Sequence, residues 1–210
     1  MRTRRTPLAL AAAGVLALLA PTAPALAARH TTVDRQHDVQ HVETSFDDAS
    51  GPAPAVDPAQ AEGDVTALRV VHGPHRVRMV MQYAALSRPS GSQDAFHAFR
   101  LKTPGHRYYD LFLDAHRGRP QGERDFSHAY RFSPVRCKGL RTHIDYARDS
   151  VTASIPRSCL GNPRWVRVGG AAATFAVDVD AETFSGYLDD ASLPGQLRDY
   201  IKLGPRVRRG

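Results

Sequence analysis

From Val65 onward, apolar and polar side chains alternate with a period of two. Successive side chains of a strand point to opposite sides, so this spacing marks strands with one face buried and one in water. Val77, Met79, Met81 and Tyr83 share one face of such a strand, with Arg76, Arg78 and Gln82 on the other. The Gly73-Pro74 turn separates it from an earlier strand carrying Leu68 and Val70. Strands at 96–102 and 107–113 flank Thr103-Pro104-Gly105-His106, and Pro followed by Gly is the pair that a type II turn requires. The alternation returns at Phe126, His128, Tyr130 and Phe132, then at Leu140, Thr142, Ile144 and Tyr146, then at Val151, Ala153 and Ile155. Trp165, Val166 and Val168 begin another strand, and Phe175, Val177 and Val179 a last one. Roughly seven to nine short strands without helical periodicity predict an all-β fold, an antiparallel β-sandwich or jelly roll.

The pattern also suggests boundaries. Residues 28–63 are acidic and studded with Pro and Ala, and read as a mostly flexible leader segment with one short strand near 38–43. Beyond Asp180 the apolar density falls, so residues 181–210 read as a loosely packed basic tail and the sandwich body as 64–180. Residues 1–27 read as a secretory signal. Arg2, Arg4 and Arg5 precede an apolar run from Leu8 to Ala20, and Ala25-Leu26-Ala27 supplies small residues before a cut at Ala28. A membrane span needs about 20 apolar residues, more than this run contains. The expected product is therefore secreted, without a membrane anchor once the signal is removed.

Export changes the reading of the cysteines. Cys137 and Cys159 are the only two, and an even count in an oxidising compartment predicts a disulfide. It would bracket the hairpin formed by the strands at 140–146 and 151–155. The formal charge of +7 is unevenly spread, with eight acids against Arg29 and Arg35 in residues 28–66. A basic body suits an anionic polymer, although 25 Arg against 3 Lys with abundant Ala also fits GC-rich coding.

No nucleophile elbow, H-E-x-x-H or phosphate loop occurs, so no catalytic residue is assigned. His37-x3-His41 lacks the apolar stripe that would hold a helix, and His72-x2-His75 reads as a pair of solvated turn histidines. Asp178, Asp180, Glu182 and Asp189 have a calcium-loop spacing, but Thr183 stands where an EF-hand needs Gly. Asp47-Asp48 before Ser50-Gly51 is a second possible calcium corner. No metal ligand is assigned, and no cofactor is expected beyond calcium at one of these corners.

The strongest candidate surface comes from strand phase. With Met79 and Met81 inward, Arg78 points outward; with Phe99 and Leu101 inward, so does Arg100; Tyr108 and Asp110 lie opposite Tyr109 and Leu111. Consecutive strands usually adjoin, which would put strand 75–83 beside strand 96–102. Arg78, Arg100, Tyr108 and Asp110 would then share one exposed face and are the candidate ligand-binding residues. Aromatic rings beside Arg and Asp suit a sugar, which stacks its CH face and bonds through its hydroxyls. The alternative is a solvated sheet face with cross-strand ion pairs.

Four stretches carry a resemblance: Asp64-Val65-Thr66-Ala67-Leu68-Arg69-Val70, Ile155-Pro156-Arg157-Ser158-Cys159-Leu160, Trp165-Val166-Arg167-Val168, and Gly204-Pro205-Arg206-Val207-Arg208-Arg209-Gly210. They resemble secreted actinobacterial proteins of unknown function, over most of residues 38–210. That resemblance implies an extracellular β-sandwich and carries no activity. The acidic stretch leading into Asp64-Val65 is also similar to family 9 carbohydrate-binding and DOMON-type sandwiches, but no haem-ligand pair or sugar-contact set maps onto this chain. The expectation is a monomeric, secreted, non-catalytic binding module for a glycan or an anionic cell-envelope polymer, with nucleic acid not the expected partner. The alternatives are an extracellular hydrolase with a dispersed active site and a protein-binding or inhibitory module.

Overall fold

A computed structural model describes residues 27–45, 52–178, 181–192, 195 and 200–210. Nearly all of the expected signal, the Asp47-Asp48 corner and Asp180 lie outside these residues. In chain order the strands are β1 (Ala28–Val33), β2 (Gln40–Ser45), β3 (Ala55–Val56), β4 (Val65–His72) and β5 (Arg76–Tyr83). There follow β6 (Gln93–Thr103), β7 (Arg107–His116), β8 (Arg119–His128), β9 (Ser133–Pro134), β10 (Arg141–Asp145) and β11 (Ser150–Pro156). A 3-10 turn at Arg157–Leu160 leads to β12 (Trp165–Asp178), β13 (Thr183–Asp190) and β14 (Val207–Arg208).

Two antiparallel sheets form. One has the order β1-β4-β5-β11-β10; the other runs β3-β2-β13-β12-β6-β7-β8-β9, with β14 also on β12. They pack face to face as a β-sandwich, because each sheet has one apolar side that only the other can cover. Leu68, Val70, Met79, Met81, Val151 and Ile155 come from the first sheet. Phe99, Leu101, Leu111, Leu113, Val166 and Val168 come from the second, and all are buried. Gly170 lets the sheets close: a Cβ there would lie 2.6 Å from Met81 Sδ, inside van der Waals contact.

The predicted hairpin is present. β6 and β7 pair from Ala95↔Ala115 to Thr103↔Arg107, and Gly105 takes the positive φ of 75° that the turn needs. Other expectations are corrected. β5 does not adjoin β6: its neighbours are β4 and β11, and the chain crosses to the opposite sheet after Tyr83. The strand expected through Phe132 stops at His128, because Tyr130 and Phe132 adopt positive φ, and it extends instead back to Arg119. Residues 28–63 are not merely a leader, nor 181–210 merely a tail: β1 pairs with β4, β2 with β13, and β13 with β12. Phe175 and Val177, expected on a separate last strand, belong to β12, and Val179 lies outside the described residues.

The Cys137–Cys159 disulfide forms, with Cα atoms 5.4 Å apart. It ties the loop before β10 to the turn after β11 and packs against the core. Among the described residues, no helix is long and apolar enough to cross a membrane.

One polar pair sits within this apolar interior. The Tyr83 hydroxyl and His97 Nδ1 are 2.9 Å apart, while His97 Nε2 is buried without a partner. Burial disfavours the charged imidazolium and pushes His97 from an ordinary 6.5 down to about 4.

Two outcomes follow. Replacing both cysteines with Ser should lower the unfolding free energy by about 3 kcal/mol, the cost of freeing a loop of about 23 residues in the unfolded chain. Reversible urea titration of oxidised wild type and variant measures it. For His97, the unfolded imidazole takes a proton near 6.5 and the folded one only near 4. This contribution is complete above the unfolded pKa and drains away as pH falls toward 4, by about 3 kcal/mol in all. Urea midpoints at pH 7 and pH 4.5 should therefore differ more in wild type than in His97→Gln.

Candidate functional site

The outer face of the five-stranded sheet is built by register. Arg29 pairs with Val71, Val71 with Arg78, Arg78 with Ser154 and Ser154 with Arg141. One row across the sheet therefore carries arginine on alternate strands. Neighbouring strands lie about 4.8 Å apart, so successive arginine Cα atoms in the row are about 10 Å apart. The next row holds Thr31, Arg69, Val80, Thr152 and His143. Interposed Val and Ser keep like charges from facing each other directly, an arrangement that would be destabilising.

Arg29, Arg69, Arg78 and Arg141 are all exposed. Among the described residues, none of their guanidinium groups has a hydrogen-bond or ion-pair partner. Arg76 differs: it bonds Ser154 Oγ at 2.7 Å and the Gly139 carbonyl at 2.7 Å. Among the described strands of this sheet the carboxylate is Asp145, at the far end of β10 with Arg148 beside it at 3.6 Å. A shallow groove of about 520 Å³ runs between the rows, with Thr31, Arg69, Val71, Arg78, Val80 and Gln82 in its walls.

The four candidate ligand residues divide between two surfaces. Arg78 lies on this face, whereas Arg100, Tyr108 and Asp110 lie on the outer face of the other sheet. The expected single surface is thus corrected: alternation sets which side of a strand is buried but not which sheet the strand joins. Arg100 and Asp110 are direct cross-strand partners joined by two hydrogen bonds of 2.7 and 2.8 Å. Asp110 is only 3% exposed, so its carboxylate is committed to Arg100 rather than offered to a ligand. That hydrogen bond holds the Arg100 guanidinium above its ordinary pKa. Tyr108 packs edge-on against Tyr130 at 5.3 Å, and Lys102 Nζ lies 4.8 Å from the Tyr108 ring centre. Beside them is a groove of about 380 Å³ that includes His106, Arg107, Tyr108, His128 and Tyr130.

A third cluster has no counterpart in any sequence motif. Asp34 and Asp38 lie in the crossover from β1 to β2, Asp64 immediately precedes β4, and Asp189 is near the end of β13. All four are buried. One oxygen of each accepts a backbone N–H: Arg35 to Asp34, Gly195 to Asp38, His37 to Asp64 and Val65 to Asp189, at 2.6–2.9 Å. The second oxygens of Asp34, Asp38 and Asp64 are buried without partners. Burial, reinforced by the neighbouring carboxylates, pushes Asp34 up to about 7 and Asp189 up to about 8; burial also raises Asp38.

The expected calcium-loop set does not assemble. Asp178 pairs across the hairpin with Thr183, and Glu182 is exposed in the turn, whereas Asp189 pairs with Ala172 farther along and faces inward. The histidine pairs also separate. His37 occupies a turn with φ of 65° while His41 lies on β2. His72 is fully buried with Nδ1 on the Val207 carbonyl, correcting its reading as a solvated turn residue. His41 Nε2 and Ser185 Oγ are 3.2 Å apart, but among the described residues no carboxylate bonds that imidazole to orient it as in a triad.

No family model, curated protein or solved structure matches this chain.

The Arg100–Asp110 geometry implies a structural role. Asp110→Ala should cost about 3 kcal/mol, because it strands a half-buried guanidinium without its partner. Tyr108→Ala should change stability by less. Urea unfolding of the two variants compares them directly.

Proposed function

We propose that the protein is an exported, non-catalytic binding module whose ligand is an anionic cell-envelope polymer or acidic glycan. The observation that carries this reading is the set of four exposed, unpartnered guanidinium groups on one sheet face. A guanidinium is always charged and presents forked donors that match carboxylate or phosphate, so a repeating anion gains bidentate contacts along the row. Val71 and Val80 between the arginines offer apolar contact for the uncharged part of each repeat unit. Arg78, one of the four candidate residues, lies within this groove. The arginine-led apolar leader and the disulfide support export, and the resemblance to carbohydrate-binding sandwiches points the same way.

A second reading, a protein-binding module, is favoured by one feature of the opposite sheet. Phe96 stacks on Phe112 at 5.1 Å and contacts Phe175 at 6.4 Å, and Phe175 meets Phe184 at 5.6 Å. These rings form a half-buried apolar stripe across four strands.

The test is direct binding of the secreted chain to poly(glycerol phosphate), polygalacturonate, neutral dextran and duplex DNA at low and high NaCl. Binding to the first two should weaken as salt rises. The double substitution Arg69→Ser, Arg78→Ser should weaken it about tenfold with an unchanged melting temperature, equivalent to about 1.4 kcal/mol. Equal binding by the double variant, or preference for dextran or DNA, would overturn the proposal.

A further inference from the structure

The buried carboxylates call for either a proton or a partner. Asp34, Asp38, Asp64 and Asp189 come from three separate stretches of chain, and each is nine-tenths or more buried. Among the described residues, no lysine or arginine side chain makes an ion pair with any of them. Isolated buried carboxylates are among the most costly groups a protein can hold, and they persist only when neutralised, paired or coordinated.

The geometry points to a bound divalent cation. One oxygen each from Asp38, Asp64 and Asp189 lie within 4.8 Å of one another. Calcium bonds oxygen at about 2.3–2.6 Å, so two ligands on opposite sides of one ion are separated by about 5 Å and adjacent ones by less. A single ion between them would lie within about 2.8 Å of all three, a distance that small side-chain shifts bring into that bonding range. The second, independent observation is the state of the other oxygens. Asp64 is wholly buried, and Asp38 is 3% exposed, yet Oδ1 of each has no hydrogen-bond partner. In both, Oδ2 is held by a backbone N–H, which orients the carboxylate and leaves Oδ1 as the free donor. Asp34 repeats the pattern, with Oδ1 on its neighbour's N–H and Oδ2 unpartnered.

We infer that Asp38, Asp64 and Asp189, with Asp34 as an outer or fourth ligand, form a calcium site at one edge of the sandwich. The all-oxygen set suits a hard cation; zinc sites draw on His and Cys, and neither residue type contributes here. The site is also placed to act on the fold. Asp38 belongs to the segment that carries the chain from one sheet to the other, Asp64 opens β4 in the first sheet, and Asp189 closes β13 in the second. A single ion joins all three, so binding couples the two sheets at this edge. The inference is independent of the arginine face, which lies on the outer side of the first sheet.

The experiment uses the whole chain after treatment with EGTA and its removal, titrated with CaCl₂ at pH 7.5 by calorimetry and thermal melting. The expected result is saturable binding of one calcium ion and a rise in melting temperature of roughly 5 °C or more at saturating calcium, since a ligand that binds only the folded state stabilises it. Asp64→Asn should abolish both while leaving a folded protein; if it does not fold, Asp38→Asn in the crossover provides the same measurement. Absence of stoichiometric calcium binding by the wild-type chain would overturn the inference. So would binding that survives in whichever variant folds, since the ion would then be held elsewhere.

Discussion

Met81 lies against the bare backbone of Gly170 where the two sheets meet, and the close packing of the sandwich depends on contacts of this kind. A side chain at Gly170 would displace Met81 or part the sheets, and either change costs dispersion contacts in the interior. With the sheets closed, Phe99, Leu101, Leu111 and Leu113 are sealed against Leu68, Met79 and Ile155. A strand with one buried face has its other face assigned by default, so closing the interior also assigns what is displayed outside. Arg69 and Arg78 are exposed because their neighbours in β4 and β5, Leu68, Val70, Val77 and Met79, are committed to the core.

Charge is sorted by the same closure. Basic groups without partners stand on the outside of the smaller sheet, where water carries most of the cost of gathering like charges. The acids Asp34, Asp38, Asp64 and Asp189 converge instead at the edge where the chain passes between sheets. Backbone amides there point at carboxylate oxygens because a crossover has N–H groups that no ladder uses, and those must be satisfied. The result is a basic exterior face and an acidic interior corner. The polar pair Tyr83–His97 and the Arg100–Asp110 pair belong to neither; both satisfy groups that the packing has removed from water.

Strand phase was legible in the sequence almost residue by residue. Period-two alternation assigned the inward faces of β5, β6 and β7, the Pro104-Gly105 turn set the register between β6 and β7, and two cysteines flanking a hairpin implied the bridge that forms. These features are local: they depend on neighbours in the chain and on the chemistry of a turn. The acidic, proline-rich composition of residues 28–63 misled for the same reason, since the partners of β1 and β2 lie in β4 and β13.

The sites were a different matter. Sheet membership divides Arg78 from Arg100, Tyr108 and Asp110, and nothing in a strand's own alternation records which of two similar sheets it will join. The acidic corner brings Asp38 and Asp64 beside Asp189, more than a hundred residues later in the chain, so no spacing could announce it. The sequence by itself determined the all-β architecture, the buried face of most strands and the disulfide, because each is encoded by side chains close to one another in the chain. Only the tertiary structure decided which charges gather, because that depends on how two sheets of alternating strands are threaded and closed.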